Sequence, residues 1–386
     1  FLNSDDTGLT TNVFLTEPRL YGVRVTKDWT GGGAWWSSLI GEGSGPYPLT
    51  VEVGGGVSRF EADNEDYHPA WMDEYSDAFP MPDVQNDELD WNGDKEARLT
   101  YRPGAGSWKI TAGYRFGRTN GSELMKAYEA VTGGTAYFFG QGIYFPSPDN
   151  HLRGSVRDQE EFSLIDFMVG KEVGFGSLSQ SSFSAGVRYA EFGSTSKVLL
   201  DGVPNRYVPT TWNLYPTTPP QPERSHYHTS LDSDREFEGY GPQLSWEAAV
   251  RLWGDDTQGH ADLDWTVSGG VLFGKQRVAS VEDQVGILYT GGIPDETAND
   301  VVNDFFLKYE DIFADRFVPR TREDDVTAPT LGVSLGLSYE VQRVKVSTGY
   351  RYDRFFDVID GGYEDASSKD RVVHGPYLKL AIGFGG

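Results

Sequence analysis

From Leu331 to Asp353 the chain switches between apolar and polar residues at every step. Leu331, Val333, Leu335, Leu337 and Tyr339 alternate with Gly332, Ser334, Gly336, Ser338 and Glu340. Past Gln342-Arg343 the alternation resumes, with Val344, Val346, Thr348, Tyr350 and Tyr352 set against Lys345, Ser347, Gly349, Arg351 and Asp353. A strand turns successive side chains to opposite faces, so this stretch predicts a hairpin with one apolar and one polar face.

The same period recurs along the chain. Leu49, Val51, Val53 and Val57 oppose Thr50, Glu52, Gly54 and Ser58. Ala97, Leu99 and Tyr101 oppose Glu96, Arg98 and Arg102, and after the turn Pro103–Gly106, Trp108, Ile110, Ala112, Tyr114 and Phe116 oppose Lys109, Thr111 and Arg115. Phe162–Val169, Phe183–Tyr189, Tyr240–Leu252, Leu263–Val267 and Leu378–Phe384 complete the series. Tight links separate some of these strands and long insertions separate the others, in strict alternation. That sorting predicts an all-β, transmembrane, antiparallel up-and-down β-barrel of about ten strands, with room for twelve, over residues 49–386. A soluble sandwich also has two-faced hairpins, but nothing in its architecture sorts connections by length.

The aromatic residues fit this arrangement. Trp91, Tyr114, Phe116, Tyr189, Tyr240, Tyr350 and Tyr352 fall at the outer ends of strands, and Tyr101, Trp108, Trp253, Tyr339 and Phe384 at the inner ends. Two such belts are expected at membrane interfaces. Two segments of the long extracellular loops read as short helices: Ser122–Val131, and a stretch capped by Asn299-Asp300 that carries Val301, Val302, Phe305, Phe306, Tyr309, Ile312 and Phe313. Residues 1–48 are rich in glycine and show no clear period, and are expected to form an extension or a lumenal plug.

Composition sharpens the picture without changing it. No apolar run approaches the roughly 20 residues of a spanning helix, and the mean hydropathy of -0.47 does not argue against a barrel, in which only alternate residues meet lipid. There is no cysteine, so disulfides and thiolate chemistry are excluded. Because Phe1 is not an initiator methionine, the sequence reads as a processed mature form. The net charge of -25 argues against nucleic acid as a partner.

The charges are sorted by position. Glu96, Arg98, Lys109, Arg115, Arg188, Glu247, Arg251, Asp264, Lys345, Arg351 and Asp353 fall on polar strand faces and are expected to point into the lumen, lining a pore or pairing across it. The acidic excess lies in the loops. Asp73, Glu74, Asp77, Asp83, Asp87 and Glu88 belong to a stretch between Glu61 and Asp90 without Lys or Arg, and are expected to form an acidic mouth that attracts cations. The alternative is a solvated surface whose carboxylates are bridged to anionic lipid by divalent ions. Oxygen-only clusters of this kind suit Ca²⁺, although no EF-hand spacing occurs.

Enzymatic readings are weak. His260, Asp262 and Asp264 have the side chains of a hydrolytic site but fall beside an inner turn, and His226 and His228 lack a third imidazole. No P-loop, dinucleotide or nucleophile-elbow motif stands out.

FSAGVRYAEF (Phe183–Phe192), REFEGYGPQLSWEAAVRLWG (Arg235–Gly254), SGGVLFGKQ (Ser268–Gln276), and the run from GLSYEV at Gly336 through VSTGYRYDRFFDV and VVHGPYLKLAIGF to Phe384 resemble the Legionella-type pore-forming outer-membrane proteins. The resemblance implies a β-barrel porin of a bacterial outer membrane. The expectation is therefore a non-enzymatic, narrow passive pore for ions or small solutes, in contact with outer-membrane lipid and lipopolysaccharide. The alternative is a non-conducting structural or adhesive barrel that acts through its large acidic loops.

Overall fold

A computed structural model describes residues 47–62, 89–103, 107–129, 134–138, 141–145, 150–174, 180–203, 223–255, 258–290, 309–363 and 365–384, together with Tyr67, Pro69 and Leu178. The strands are β1 (Leu49–Ala62), β2 (Asn92–Tyr101), β3 (Trp108–Glu129), β4 (Gly134–Phe138), β5 (Gln141–Phe145), β6 (Asn150–Glu172), β7 (Gln180–Val203), β8 (Glu223–Asp255), β9 (Gly259–Thr290), β10 (Tyr309–Val341), β11 (Val344–Asp360) and β12 (Ser368–Phe384). All but β4 and β5, which form a separate hairpin, join one antiparallel barrel that closes where β1 pairs with β12, Leu49 opposite Phe384.

Connections alternate in length as the sequence pattern requires, except that the β11–β12 link is no longer than the β6–β7 link. Residues 102–107, 173–179, 256–258 and 342–343 link strands at one end, and 63–91, 130–149, 204–222, 291–308 and 361–367 at the other. The β8–β9 turn is framed by Gly254 (φ 93°) and Gly259 (φ 103°), a left-handed backbone that a side chain would strain.

The apolar faces look outward. Val53, Leu99, Tyr114, Phe167, Val187, Leu244, Leu335, Val346 and Leu378 are all exposed on the barrel exterior, and Tyr101, Trp108, Trp253 and Tyr339 are exposed at the end with short links. In water such a band would be untenable; in lipid it is the expected wall.

Several strands run well past this band. On β8 the outward residues are apolar or aromatic from Trp253 back to Tyr240 and then become Glu238, Glu236, Asp234 and Asp232, while the inward residues change from Glu247 and Gln243 to Phe237, Arg235 and Leu231. The two-residue period continues but its chemistry inverts at the lipid boundary. Gly193–Val203, Glu223–Ser233, Val271–Thr290 and Tyr309–Val326, which the sequence pattern reads as loop, are therefore strand.

The helix expected over Ser122–Val131 is corrected for the same reason. Ser122–Glu129 lies in β3 and pairs residue by residue with Asn150–Arg157, so its backbone groups are committed to the ladder rather than to i→i+4 bonds. Tyr309, Ile312 and Phe313 of the second expected helix lie in β10, and residues 299–308 lie outside the described residues. So does the expected extension or plug, apart from Tyr47 and Pro48. Tyr47 packs on the β10–β11 turn, its hydroxyl donating to the Gln342 carbonyl at 3.2 Å and its ring under Arg343.

Candidate functional site

The lumen has three levels, and the inward residue at each level follows from the strand period. At the short-link end, inward positions carry charges that pair across neighbouring strands. Glu96 accepts from Arg351 at 2.5 Å and Lys379 at 2.9 Å. Arg98 donates to Glu247 at 2.9 Å, and Lys109 binds the other oxygen of that carboxylate. Arg188 forks onto Asp166 at 2.7 and 2.9 Å, and Lys345 reaches Asp264 at 3.2 Å. Arg251 lies at the mouth, 3.9 Å from Asp262. Such pairs hold the wall in register, since either charge alone would be costly to enclose.

This lower level is accessible to solvent. The side chains of Arg98 and Glu247 keep 32% and 29% of their accessible surface, so the charged lining encloses a chamber that water can enter. Close contacts also shape the wall here. A Cβ on Gly336 would stand 2.5 Å from the Tyr377 hydroxyl, so glycine lets that ring lie along the lumen.

Above the chamber, the trio Arg115, Asp94 and Asp353 is nearly dry. Arg115 donates to Asp94 at 2.6 Å and to Asp353 at 2.5 Å, and its guanidinium sits 5.1 Å over the Phe162 ring.

That ring begins the second level, an apolar layer across the whole lumen. Phe60, Phe162, Phe192, Phe237, Leu272, Ala328, Phe355 and Val373 supply it from eight strands, with Leu89 beside the start of β2. None exceeds 4% exposure. The rings of Phe60 and Phe162 are 5.2 Å apart, Phe192 and Phe237 6.2 Å, and Phe192 and Phe355 4.7 Å. Barrels with about eight strands are filled by their own side chains, and this ten-stranded one is filled at this level.

The third level, beyond the lipid band, mixes buried charges and hydroxyls. Arg371 and Glu160 pair at 3.0 Å with exposures of 0% and 1%. Tyr67 donates to Glu282 at 2.7 Å, and burial together with that carboxylate pushes the Tyr67 hydroxyl well above the usual tyrosine range.

The lumen residues read from sequence thus lie at the lower level, some in a linked cluster around Glu96, Arg98 and Glu247 and others in separate pairs, with Arg115 and Asp353 at the upper edge. Asp73, Glu74, Asp77, Asp83, Asp87 and Glu88 lie outside the described residues. The apolar layer escapes sequence reasoning, although it leaves a trace there: Phe162 and Phe192 fall in phase with Asp166 and Arg188 on the polar faces. His260 stands 3.4 Å from Asp262 at the short-link end. His226 and His228 both face Asp201, at 3.1 and 3.6 Å. Among the described residues no group of three or more His, Cys, Asp or Glu is arranged to hold a metal ion.

A closed antiparallel barrel with a lipid-facing apolar girdle and an inward charged lining defines a transmembrane β-barrel of the outer-membrane type. The sequence profile described as Legionella pneumophila major outer membrane protein precursor matches residues 105–384, more than half of the chain, and the protein belongs to that family; its place is the bacterial outer membrane. No curated protein matches the chain. Among solved structures it is similar to the CymD monoaromatic hydrocarbon channel, at 10% identity over 88% of this chain and 90% of that one, with a TM-score of 0.20. It is also similar to a TodX deltaS2S3 mutant monoaromatic hydrocarbon channel, at 9% identity over 93% and 95%, with a TM-score of 0.22, and to the Pseudomonas putida toluene transporter TodX, at 9% identity over 88% and 90%, with a TM-score of 0.18. Overlays this loose do not bear on mechanism.

Proposed function

We propose that the protein is a narrow passive pore for small solutes or ions, held closed in the described conformation, and that it has no enzymatic activity. The observation that carries this reading is the charged chamber, in which Arg98, Glu247, Lys345 and Asp264 stay partly accessible to solvent inside a wall whose outside is apolar. Enclosed charges lower the barrier for polar solutes, and the balance of signs around them sets selectivity.

The loop carboxylates Asp73, Glu74, Asp77, Asp83, Asp87 and Glu88 give the outer mouth its cation preference in this reading, and Ca²⁺ is the ion that suits them. Lipopolysaccharide is the expected neighbour of the outer rim. Bilayer recordings in a salt gradient test the whole: brief cation-selective steps, altered by Arg351→Gln, support it.

A second reading is favoured by the apolar layer itself. A lumen sealed by residues from eight strands also suits a non-conducting barrel that serves through its loops. Persistent electrical silence, with or without substitutions in the layer, decides for that reading.

A further inference from the structure

One part of the seal sits at an irregularity of the wall, near the tip of the β11–β12 hairpin. Between Phe355 and Ile359 the register of β11 with β12 breaks, and Asp357 takes φ 51°, a left-handed conformation uncommon for a residue with a side chain. The bulge turns the chain inward. Phe355, Val358 and Ile359 are buried to 1%, 0% and 0% exposure, and all three join the apolar layer. Ile359 and Asp360 pair again with Lys369 and Ser368 of β12, and the chain stays buried as far as Tyr363.

From this geometry we infer that the inward stretch Phe356–Tyr363 is a movable plug whose withdrawal clears the lumen; its role as a gate rests on the pore reading above. Besides the pairing of Ile359 and Asp360 with Lys369 and Ser368, the Asp357 amide donates to Asp370 at 2.9 Å and the Gly361 amide to the Ser367 carbonyl at 2.8 Å. Further polar ties hold the inward position. The Asp360 carboxylate gathers most of them: it accepts from Arg322 at 2.8 Å and from the amides of Gly362 and Ser367 at 3.0 and 2.9 Å. Arg322 donates also to the Gly362 carbonyl at 2.8 Å, and Gln276 to the Asp357 carbonyl at 2.8 Å. At its tip Tyr363 lies 4.7 Å over the Arg235 guanidinium and 5.4 Å edge-on from Tyr67.

What lies around the tip favours release. Arg235 is 1% exposed, Asp158 3% and Ser233 1%. Yet Nε and one terminal nitrogen of Arg235, both carboxylate oxygens of Asp158 and the Ser233 hydroxyl lack a well-formed hydrogen bond, although the charges of Arg235 and Asp158 attract each other. Polar groups enclosed without full hydrogen bonding are costly, and the cost is recovered when water reaches them. Apolar packing and the Asp360 tie therefore favour the inward position, while the incompletely hydrogen-bonded polar groups behind Tyr363 favour the outward one. An element with opposed contributions of this kind is poised between two arrangements.

The absence of native cysteine makes the test clean. Ile359→Cys, in the full chain folded into lipid vesicles, is exposed to a membrane-impermeant maleimide, alone and combined with Asp360→Asn. Folding is checked by the retained mobility of unheated protein on a gel. The movable plug predicts slow labelling in the single variant and at least ten-fold faster labelling once the Asp360 tie is weakened. If Asp360→Asn does not fold, Arg322→Gln removes the tie from the other side. Labelling that is equally slow in every folded variant overturns the plug. Conductance is recorded on the same samples and judges the pore separately: faster labelling without current upholds the plug and removes the pore, whereas current with unchanged labelling keeps the pore and removes the plug.

Discussion

The rings of Phe192 and Phe355 meet at 4.7 Å and 63° although they come from β7 and β11, which have β8, β9 and β10 between them in the barrel. The contact crosses the lumen. A side chain there is a core residue in packing terms, even though its strand neighbours Arg188 and Arg351 line a chamber that water can enter. Phe192→Ala is therefore expected to cost about 3–5 kcal/mol, as for a large aromatic removed from a packed interior. Truncation of exposed Val53 is expected to cost far less. Urea unfolding of vesicle-embedded protein, followed by tryptophan emission, measures both.

Arg115 compensates two carboxylates that have little access to water. Its replacement by Ala leaves Asp94 and Asp353 without the cation that bridges them and with little solvent, and breaking such a buried pair costs about 3–5 kcal/mol. The exposed pair Lys275–Glu323, at 2.5 Å, has the same geometry but sits in water. Lys275→Ala is expected to leave the unfolding midpoint unchanged, because exposed pairs are screened. A comparison of the two midpoints separates burial from distance.

Glu191 and Glu238 stand directly opposite each other across β7 and β8, above the aromatic girdle. Burial first, and then the charges of Glu238, Glu161 and Glu236, hold the Glu191 carboxyl above its usual range. A group whose folded pKa is raised stabilises below the unfolded pKa, and that stability is lost as pH rises through the folded value. Glu191→Gln is accordingly expected to be indistinguishable from the native protein in acid and more stable, by roughly 0.5 kcal/mol, near neutrality. Unfolding midpoints across that pH range check the sign.

Leu335 lies within the outward band, flanked by Val333 and Leu337 on the same strand. Leu335→Arg places a charge in the hydrocarbon and is expected to cost about 2–4 kcal/mol if the site is near the midplane. Thr321→Arg, farther out on the same strand where outward positions are polar, is expected to fold normally. The yield of folded species after dilution into vesicles reports both.

The wall was legible in the sequence because lipid imposes one chemistry on every second residue. Leu335, Val346 and Leu380 could be placed by period alone, and so could the inward Arg98, Glu247 and Arg351. Beyond the lipid boundary that constraint ends. Glu236 and Glu238 face out while Phe237 faces in, so the alternation of β8 survives with its polarity reversed and reads as loop. The partners of the lumen charges were not legible either. Glu96 and Arg351 are 255 positions apart, and only barrel closure through β1 and β12 brings them together. The bulge at Asp357 left no turn signal of the kind that glycine or proline provides, so the inward course of β11 could not be read before the fold was known.

The central claim is that the apolar layer, rather than the charged chamber, blocks the lumen. Planar-bilayer recordings of the native protein and of Phe192→Ser/Phe355→Ser test it most directly. The account predicts a native protein that is mostly silent and a double variant whose open time rises at least ten-fold. A native protein that conducts steadily, with current unchanged by the two substitutions, would contradict it.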